Sequence, residues 1–519
     1  MKLLRALVPT LVLLAATPAA SAAPRDFPRD FLWGTAIAGL QAEAGGQPSN
    51  ADPRSDWWAW SRDPANIQSG WVTGDRIERG PGHWKLFRKD IDLAAERLRS
   101  NAFRFSIEWS RVFPRSTARV HVGRRIDLGD LRRLDRLANQ AALRHYAAVL
   151  RASNRRGLEP FVTVSHFALP TWIHDPVAVR DALAGRGPDA ALPRLARGGW
   201  LSRATVREFR KYAAYLAWKL GRRVTYWTPT NEPMVVAANG YVNVPGAFAG
   251  YFPPGAFSFS GAIRVVTNLV RANAAAYDAI HALDRRARVG PVHNMIAFTP
   301  ADPASARDRT ATEHADYIFN RLYLNAVVRG REDLDVDGRI APGERHPARA
   351  GKADFVGLNY YFRSRVTGLG DSISESIKLL DFLPRNSYAT PVSPMLPPCP
   401  TTCTDFGWEV YPQGFRQSLK TAGGYGLPVY VTENGLADAD DDMRAAYLVS
   451  HLRAVRAAMR AREARVRGYL HWTLVDNFEW AAGYYPRFGL FSYDPDTLRR
   501  TERPSARVFA RIARTGRLP

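Results

Sequence analysis

Eight short runs of apolar and β-branched residues, separated by stretches with helical periodicity, constrain this chain more than any other feature. The runs are Phe31–Gly34, Ala102–Ile107, Glu159–Thr163, Thr225–Thr228, Arg288–Val292, Phe355–Leu358, Val429–Thr432 and Gly468–Thr473. Between them, segments such as Val206–Leu220, Ile263–Leu283 and Met443–Arg460 carry apolar residues three and four positions apart. Eight strand-plus-helix units predict an α/β fold, a closed parallel (β/α)8 TIM barrel rather than an open sheet. A chain of 519 residues with 46% hydrophobic content can bury a large core. No Pro/Ser/Gly linker divides its middle, so residues 23–519 are expected to form a single domain with long βα loops.

The first residues read differently. Lys2 and Arg5 precede an apolar run from Ala6 to Ala16, followed by Ala20-Ser21-Ala22. A basic start, a short apolar stretch and small residues at the exit predict a secretory signal peptide over 1–22 and a secreted protein, extracellular or periplasmic. No later run is apolar for long enough to cross a bilayer, so no transmembrane segment is expected. Export brings oxidising conditions, and Cys399 and Cys403 have no further thiol or adjacent histidine beside them, which favours a local disulfide over metal ligation. The net charge of +23 could attract anionic polymers. Scattered arginine on surface helices, for example from Arg453 to Arg467, is the preferred reading. No zinc-finger spacing, basic zipper or RNA-binding aromatic signature is present, so no nucleic-acid partner is expected. Oligomeric state is not written in the sequence.

The ends of the runs carry the chemistry. Gln41, Arg104, His166, Asn231 with Glu232, Asn294, Asn359 with Tyr361, Glu433 and Trp472 place a polar or aromatic group at or just beyond almost every strand. A barrel gathers such groups on one rim, where (β/α)8 proteins hold their active sites. Glu232 and Glu433 lie nearly half a chain apart, so only a closed fold brings them together. Two carboxyls facing one acetal are the minimal equipment for glycoside hydrolysis, and about 5 Å between them is the spacing of a retaining reaction. If Arg104 and Tyr361 touch Glu433, they stabilise its charge for nucleophilic attack. That charge raises the proton affinity of Glu232, which suits an acid. Gln41, His166, Asn231 and Glu479 offer donors and acceptors for sugar hydroxyls, and Trp472 and Trp480 offer flat apolar platforms. The stretch from Arg363 to Phe406 is too long for an ordinary connection and predicts a lid or access wall.

At these residues the chain resembles glycoside hydrolase family 1, the β-glucosidase and β-galactosidase family. The matching segments are Phe31-Leu-Trp-Gly-Thr-Ala36 with Gln41, Arg104 to Pro114, His166 with Leu169-Pro170, Thr230-Asn-Glu-Pro233, Gly357-Leu-Asn-Tyr-Tyr361, Val431-Thr-Glu-Asn-Gly435, and Trp472 to Trp480 with Arg487-Phe-Gly-Leu490. Gly80-Pro-Gly-His-Trp84 and Leu169 to Asp175 look closest to its thermophile-type branch. The resemblance implies acid/base Glu232 and nucleophile Glu433. It implies a sugar subsite of Gln41, His166, Asn231, Trp472, Glu479 and Trp480, with Arg104, Asn359 and Tyr361 supporting the nucleophile. It also implies retention of configuration and no required cofactor. Phe167 departs from the family's usual Trp, and Ala42-Glu-Ala44 from its Ile-Glu-Gly. Glu479 and Trp480 stand where relatives acting on 6-phosphorylated sugars carry small or basic residues, so neutral sugars are expected.

One further motif points elsewhere. Asp333, Asp335 and Asp337 before Gly338, with Glu344 beyond, reproduce the oxygen spacing of a calcium loop. Pro342 inside it and the poor exit helix at Arg345-His-Pro347 favour an acidic solvated turn; any ion there is expected to be structural and on the barrel's far face. The expected activity is a retaining exo-β-glycosidase acting on neutral β-D-glucosides, galactosides or fucosides. The alternatives are a transglycosylase using the same residues and a non-catalytic carbohydrate-binding relative.

Overall fold

The computed structural model describes residues 25–243 and 251–519, so the predicted signal peptide lies outside the described residues. Ten strands build the main sheet: β1 (Leu32–Ala36), β2 (Ala102–Ser106), β3 (Glu159–Ser165), β4 (Tyr226–Thr230), β5 (Arg288–Val289), β6 (Val292–Pro300), β7 (Val356–Gly368), β8 (Phe382–Arg385), β9 (Val429–Asn434) and β10 (Val466–Trp472). Their order is β5-β4-β3-β2-β1-β10-β9-β7-β6, parallel throughout, with β8 added antiparallel to β7.

The ring closes through one interrupted strand. The run expected at Arg288–Val292 is split by Gly290-Pro291 into β5, which pairs with β4, and β6, which pairs with β7. Pro291 has no N–H to give a ladder, which ends regular pairing there. The Gly290 amide still donates to Trp227 O at 3.0 Å, and a parallel bridge joins Asn231 to Val292. The predicted helices appear as Arg203–Leu220, Phe259–Leu283 and Arg444–Arg460. No helix among the described residues is long and apolar enough to cross a membrane.

Strand alternation sorts side chains between two compartments. Val162 and Val164 of β3 face the helical layer, packed in one core with Leu216, Val265, Leu269 and Val455. Phe161, Tyr226, Phe355, Tyr430 and Leu470 form a separate plug inside the barrel, where Phe161 stacks on Tyr226 at 4.3 Å between ring centres. Further along the same strands the lumen becomes polar. Thr228 Oγ1 donates to Thr163 Oγ1 at 2.8 Å, and Thr432 Oγ1 to Asn359 Oδ1 at 2.7 Å. An aromatic floor below a hydrogen-bonded layer thus leaves the C-terminal rim as the place for charged groups.

The long stretch after β7 is partly regular. β7 continues to Gly368 and turns back as β8, so the expected loop from Arg363 begins as a hairpin. Arg363 and Arg365 alternate with buried Ser364 and Val366, a two-residue period that the charges obscure. Beyond the hairpin, Cys399 and Cys403 are joined by a disulfide, with Cα atoms 6.1 Å apart.

The acidic motif lies on the flank, which corrects the far-face expectation. Residues 331–345 are an excursion closed by the His346 amide on Gly330 O, and it folds back along the helical segment ending at Arg329. Tyr317 Oη donates to Asp333 Oδ2 at 2.6 Å, and the amides of Lys378 and Leu379, from the connection after β7, donate to Asp335 O and Val336 O. Asp333, Asp335 and Asp337 bring carboxylate oxygens within 4.8 Å of one another. Glu344 does not join them: the Pro342–Glu344 turn directs its oxygens to the amides of Leu334 (2.7 Å) and Ala341 (2.9 Å).

Candidate active site

Glu433 reaches the lumen because β9 is bulged. Leu358 of β7 pairs with Val431, yet Asn359 pairs with Glu433, leaving one extra residue in β9. The irregularity lets Thr432 and Glu433 both turn inward, the re-aiming that a bulge provides. Arg104, on β2 and only 1% exposed, donates from Nη1 to one Glu433 oxygen, and Tyr361 Oη donates to the other. Burial first, and then the Glu433 charge, push the Tyr361 phenol well above its ordinary range, so it stays a donor.

Glu232 is held differently. It follows β4 in the left-handed region at φ 46°, directly before Pro233, the first residue of helix Pro233–Tyr241. A residue before proline is disfavoured in right-handed helical geometry, and its amide is fixed on Val292 O at 2.9 Å. The carboxyl receives only uncharged donors: Asn359 Nδ2 at 2.6 Å and Asn294 Nδ2 at 3.2 Å. Burial, then the neighbouring Glu433 charge, push it up to about 8. The two carboxyls thereby differ in their partners: Glu433 meets a cation and a phenol, Glu232 meets amides and has its proton affinity raised.

Asn231 links both halves. Its Oδ1 accepts from Arg104 Nη2 at 2.7 Å and from Asn359 Nδ2 at 3.3 Å, so its own amide must be the donor to His166 Nε2 at 3.1 Å. Burial, and then Arg104, hold His166 well below its usual range, so the ring is neutral. A neutral ring accepting at Nε2 carries its proton on Nδ1, and that N–H has no protein partner among the described residues.

Gln41, in the short helix Gly39–Ala42, donates to Phe478 O (2.9 Å), Asn477 Oδ1 (3.2 Å) and Glu479 Oε2 (3.3 Å), leaving Oε1 without a partner among the described residues. Glu479 is pushed up to about 8 by burial, then by the charges of Glu433 and Glu232. The His166 ring lies 5.9 Å from Trp472 and 6.0 Å from Trp480, near-parallel to both. Trp480 is packed by Trp57 at 4.7 Å, Phe167 at 5.1 Å and Phe252 at 5.9 Å.

Every rim residue singled out in the sequence, from Gln41 to Trp480, therefore converges here, while the aspartates near 335 do not. Sequence reasoning missed Thr163, which accepts from Arg104 Nε at 3.1 Å, and Thr432. It also missed Trp408, packed on Tyr361 at 5.5 Å, and Glu409, ion-paired with Arg363 and accepting from Thr401 at 2.8 Å. Only the Trp-Glu pair after Gly407 signals them, because their partners are distant in the chain.

The family model "Glycosyl hydrolase family 1" matches residues 23–179 and 190–517. A β-galactosidase of Pyrococcus woesei is 36% identical over 512 residues, covering 94% of this chain and 96% of that one. A β-galactosidase of Saccharolobus solfataricus is 37% identical over 504 residues, covering 95% and 96%. The crystal structure of the β-glycosidase from Thermosphaera aggregans superposes with a TM-score of 0.80 at 37% identity, over 95% of this chain and 98% of that one.

Proposed function

We propose, for a chain that belongs to glycosyl hydrolase family 1, hydrolysis of neutral β-glycosides with retention of anomeric configuration. The observation that carries this reading is the asymmetry of the two glutamates: Glu433 clasped by Arg104 and Tyr361, Glu232 buried among amides and pushed up to about 8.

In the first step a Glu433 oxygen forms a bond to the anomeric carbon while the bond to the leaving oxygen breaks and takes the Glu232 proton. The ester removes the charge on Glu433. The proton affinity of Glu232 then falls, and it accepts a proton from water as the water oxygen attacks the same carbon and the ester bond breaks. Two inversions give net retention, and the chemistry draws on side chains alone. Asn359, which donates to Glu232 and is paired in register with Glu433, holds the spacing of the pair.

Gln41 Oε1, His166 Nδ1 and the Glu479 carboxyl read hydroxyls of the sugar, and Trp472 and Trp480 cover its C–H face. Glu479 offers no positive charge to pair with a phosphorylated sugar, and the names of the Pyrococcus and Saccharolobus relatives point to galactosides besides glucosides. Export is proposed from the leader pattern of residues 1–22. Proton NMR of the first product released from nitrophenyl β-D-glucoside, galactoside and fucoside tests the proposal. The β-anomer should appear first. The α-anomer appearing first, or no turnover of all three, would overturn it.

A further inference from the structure

A second buried carboxylate group lies behind the helix that carries Gln41. Leu40, Ala44, Asp52, Ser55, Trp58, Ile77, Glu108, Ser110 and Arg111 enclose a cavity with room for about one water-sized occupant. Its charges do not balance. Arg111 is matched by Glu43, with Nε 2.5 Å from Oε2, and Tyr146 donates to the other Glu43 oxygen at 2.9 Å. Asp52 and Glu108 remain. Glu108 accepts from Ser106 Oγ at 2.8 Å, and Asp52 Oδ1 has a half-exposed Arg54 guanidinium at 3.9 Å and the Arg54 amide at 3.2 Å. His83, the next polar side chain outward, is bonded to Asp90 at 2.8 Å.

Two atoms on residues that line the cavity have no protein partner among the described residues: Asp52 Oδ2 and Ser55 Oγ, on residues 7% and 0% exposed. A buried carboxylate oxygen without a donor is costly, and such groups are normally paired or bound to a cation.

We propose that this cavity binds one monovalent, sodium-sized cation through Asp52 Oδ2, Ser55 Oγ and the Glu108 carboxylate, with the Ser110 hydroxyl beside them. Oxygen donors suit a hard cation. With Arg111 matched by Glu43 and the Arg54 guanidinium 3.9 Å from Asp52, the unmet charge is closer to one than to two, which fits a monovalent ion. Leu40 flanks Gln41 in the helix Gly39–Ala42, so an occupant steadies the wall of the sugar subsite from behind.

The test is the thermal midpoint of the full chain in sodium chloride and in choline chloride of equal concentration and pH. Sodium should raise the midpoint by about 2–4 °C. The difference should vanish in Asp52→Asn and shrink in Ser55→Ala, which removes only a hydroxyl and keeps the test open if the first variant does not fold. Equal midpoints in both salts would overturn the site, as would a sodium effect that survives in both variants. A larger shift with calcium chloride at matched ionic strength would overturn the monovalent assignment.

Discussion

Asn359→Ala removes one hydrogen bond at the centre of the catalytic pair and should be read in a pH profile. Asn359 Nδ2 donates to Glu232 Oε1 at 2.6 Å, a contact that favours the ionised carboxylate. A hydrogen bond to a charged group contributes about 1.5–3 kcal/mol, and each pH unit corresponds to about 1.4 kcal/mol, so its loss raises the Glu232 value by about 1–2 units. Asn294 remains as a longer donor at 3.2 Å, which places the effect at the lower end. Since the acid limb of catalysis needs Glu232 protonated in the free enzyme, the alkaline arm of kcat/KM should move upward from about 8. The assay is kcat/KM for a nitrophenyl β-glycoside against pH in wild type and variant. The variant also leaves the Thr432 hydroxyl without its acceptor, so a lower melting temperature is expected alongside. An alkaline arm that stays in place or moves downward would refute the assignment of Glu232 as the acid held by Asn359.

Glu433→Gly should lower turnover by at least about 10⁴-fold, and azide or formate, which can occupy the vacated space and attack the anomeric carbon, should restore it. Glu232→Ala should keep substrates with very good leaving groups working while slowing alkyl glycosides by about 10²–10⁴-fold, as measured by kcat/KM across a leaving-group series. Folded Glu232 and Glu479 hold protons up to about 8 that the unfolded chain releases near 4.5. Between these values the native state binds more protons, so stability falls as pH rises from 4.5 toward 8, and Glu479→Gln should flatten that slope in denaturant titrations. At the acidic turn, Asp333 and Glu344 already accept from protein donors, so a calcium chelator should leave the calorimetric midpoint unchanged.

The barrel and the residues of its rim were readable because inward positions change character along each strand. Phe161 precedes Thr163 in β3, Tyr430 precedes Thr432 in β9, and a polar or charged residue closes nearly every run. Backbone irregularities were not readable. The bulge that turns Glu433 inward depends on two neighbouring strands in register, and the left-handed geometry of Glu232 depends on a hydrogen bond to Val292 across the ring. The split of the fifth strand left a trace in Gly290-Pro291, but its ladder partners are tertiary. The β7–β8 hairpin was hidden by Arg363 and Arg365, whose charges are absorbed by Glu409 from the following connection. The acidic segment's place between a helix and the sixth strand suggested the far face, but the excursion from Arg331 to Arg345 folds back along its own helix.

The most direct measurement is the identity of the labelled residue after reaction with a 2-deoxy-2-fluoro β-glycoside bearing a good leaving group, which slows release of the glycosyl-enzyme. Proteolysis and mass spectrometry should place one sugar on the peptide containing Glu433 and none elsewhere. A sugar attached to Glu232 or Glu479, or rapid turnover to the inverted anomer with no adduct, would contradict the division of roles between the two glutamates.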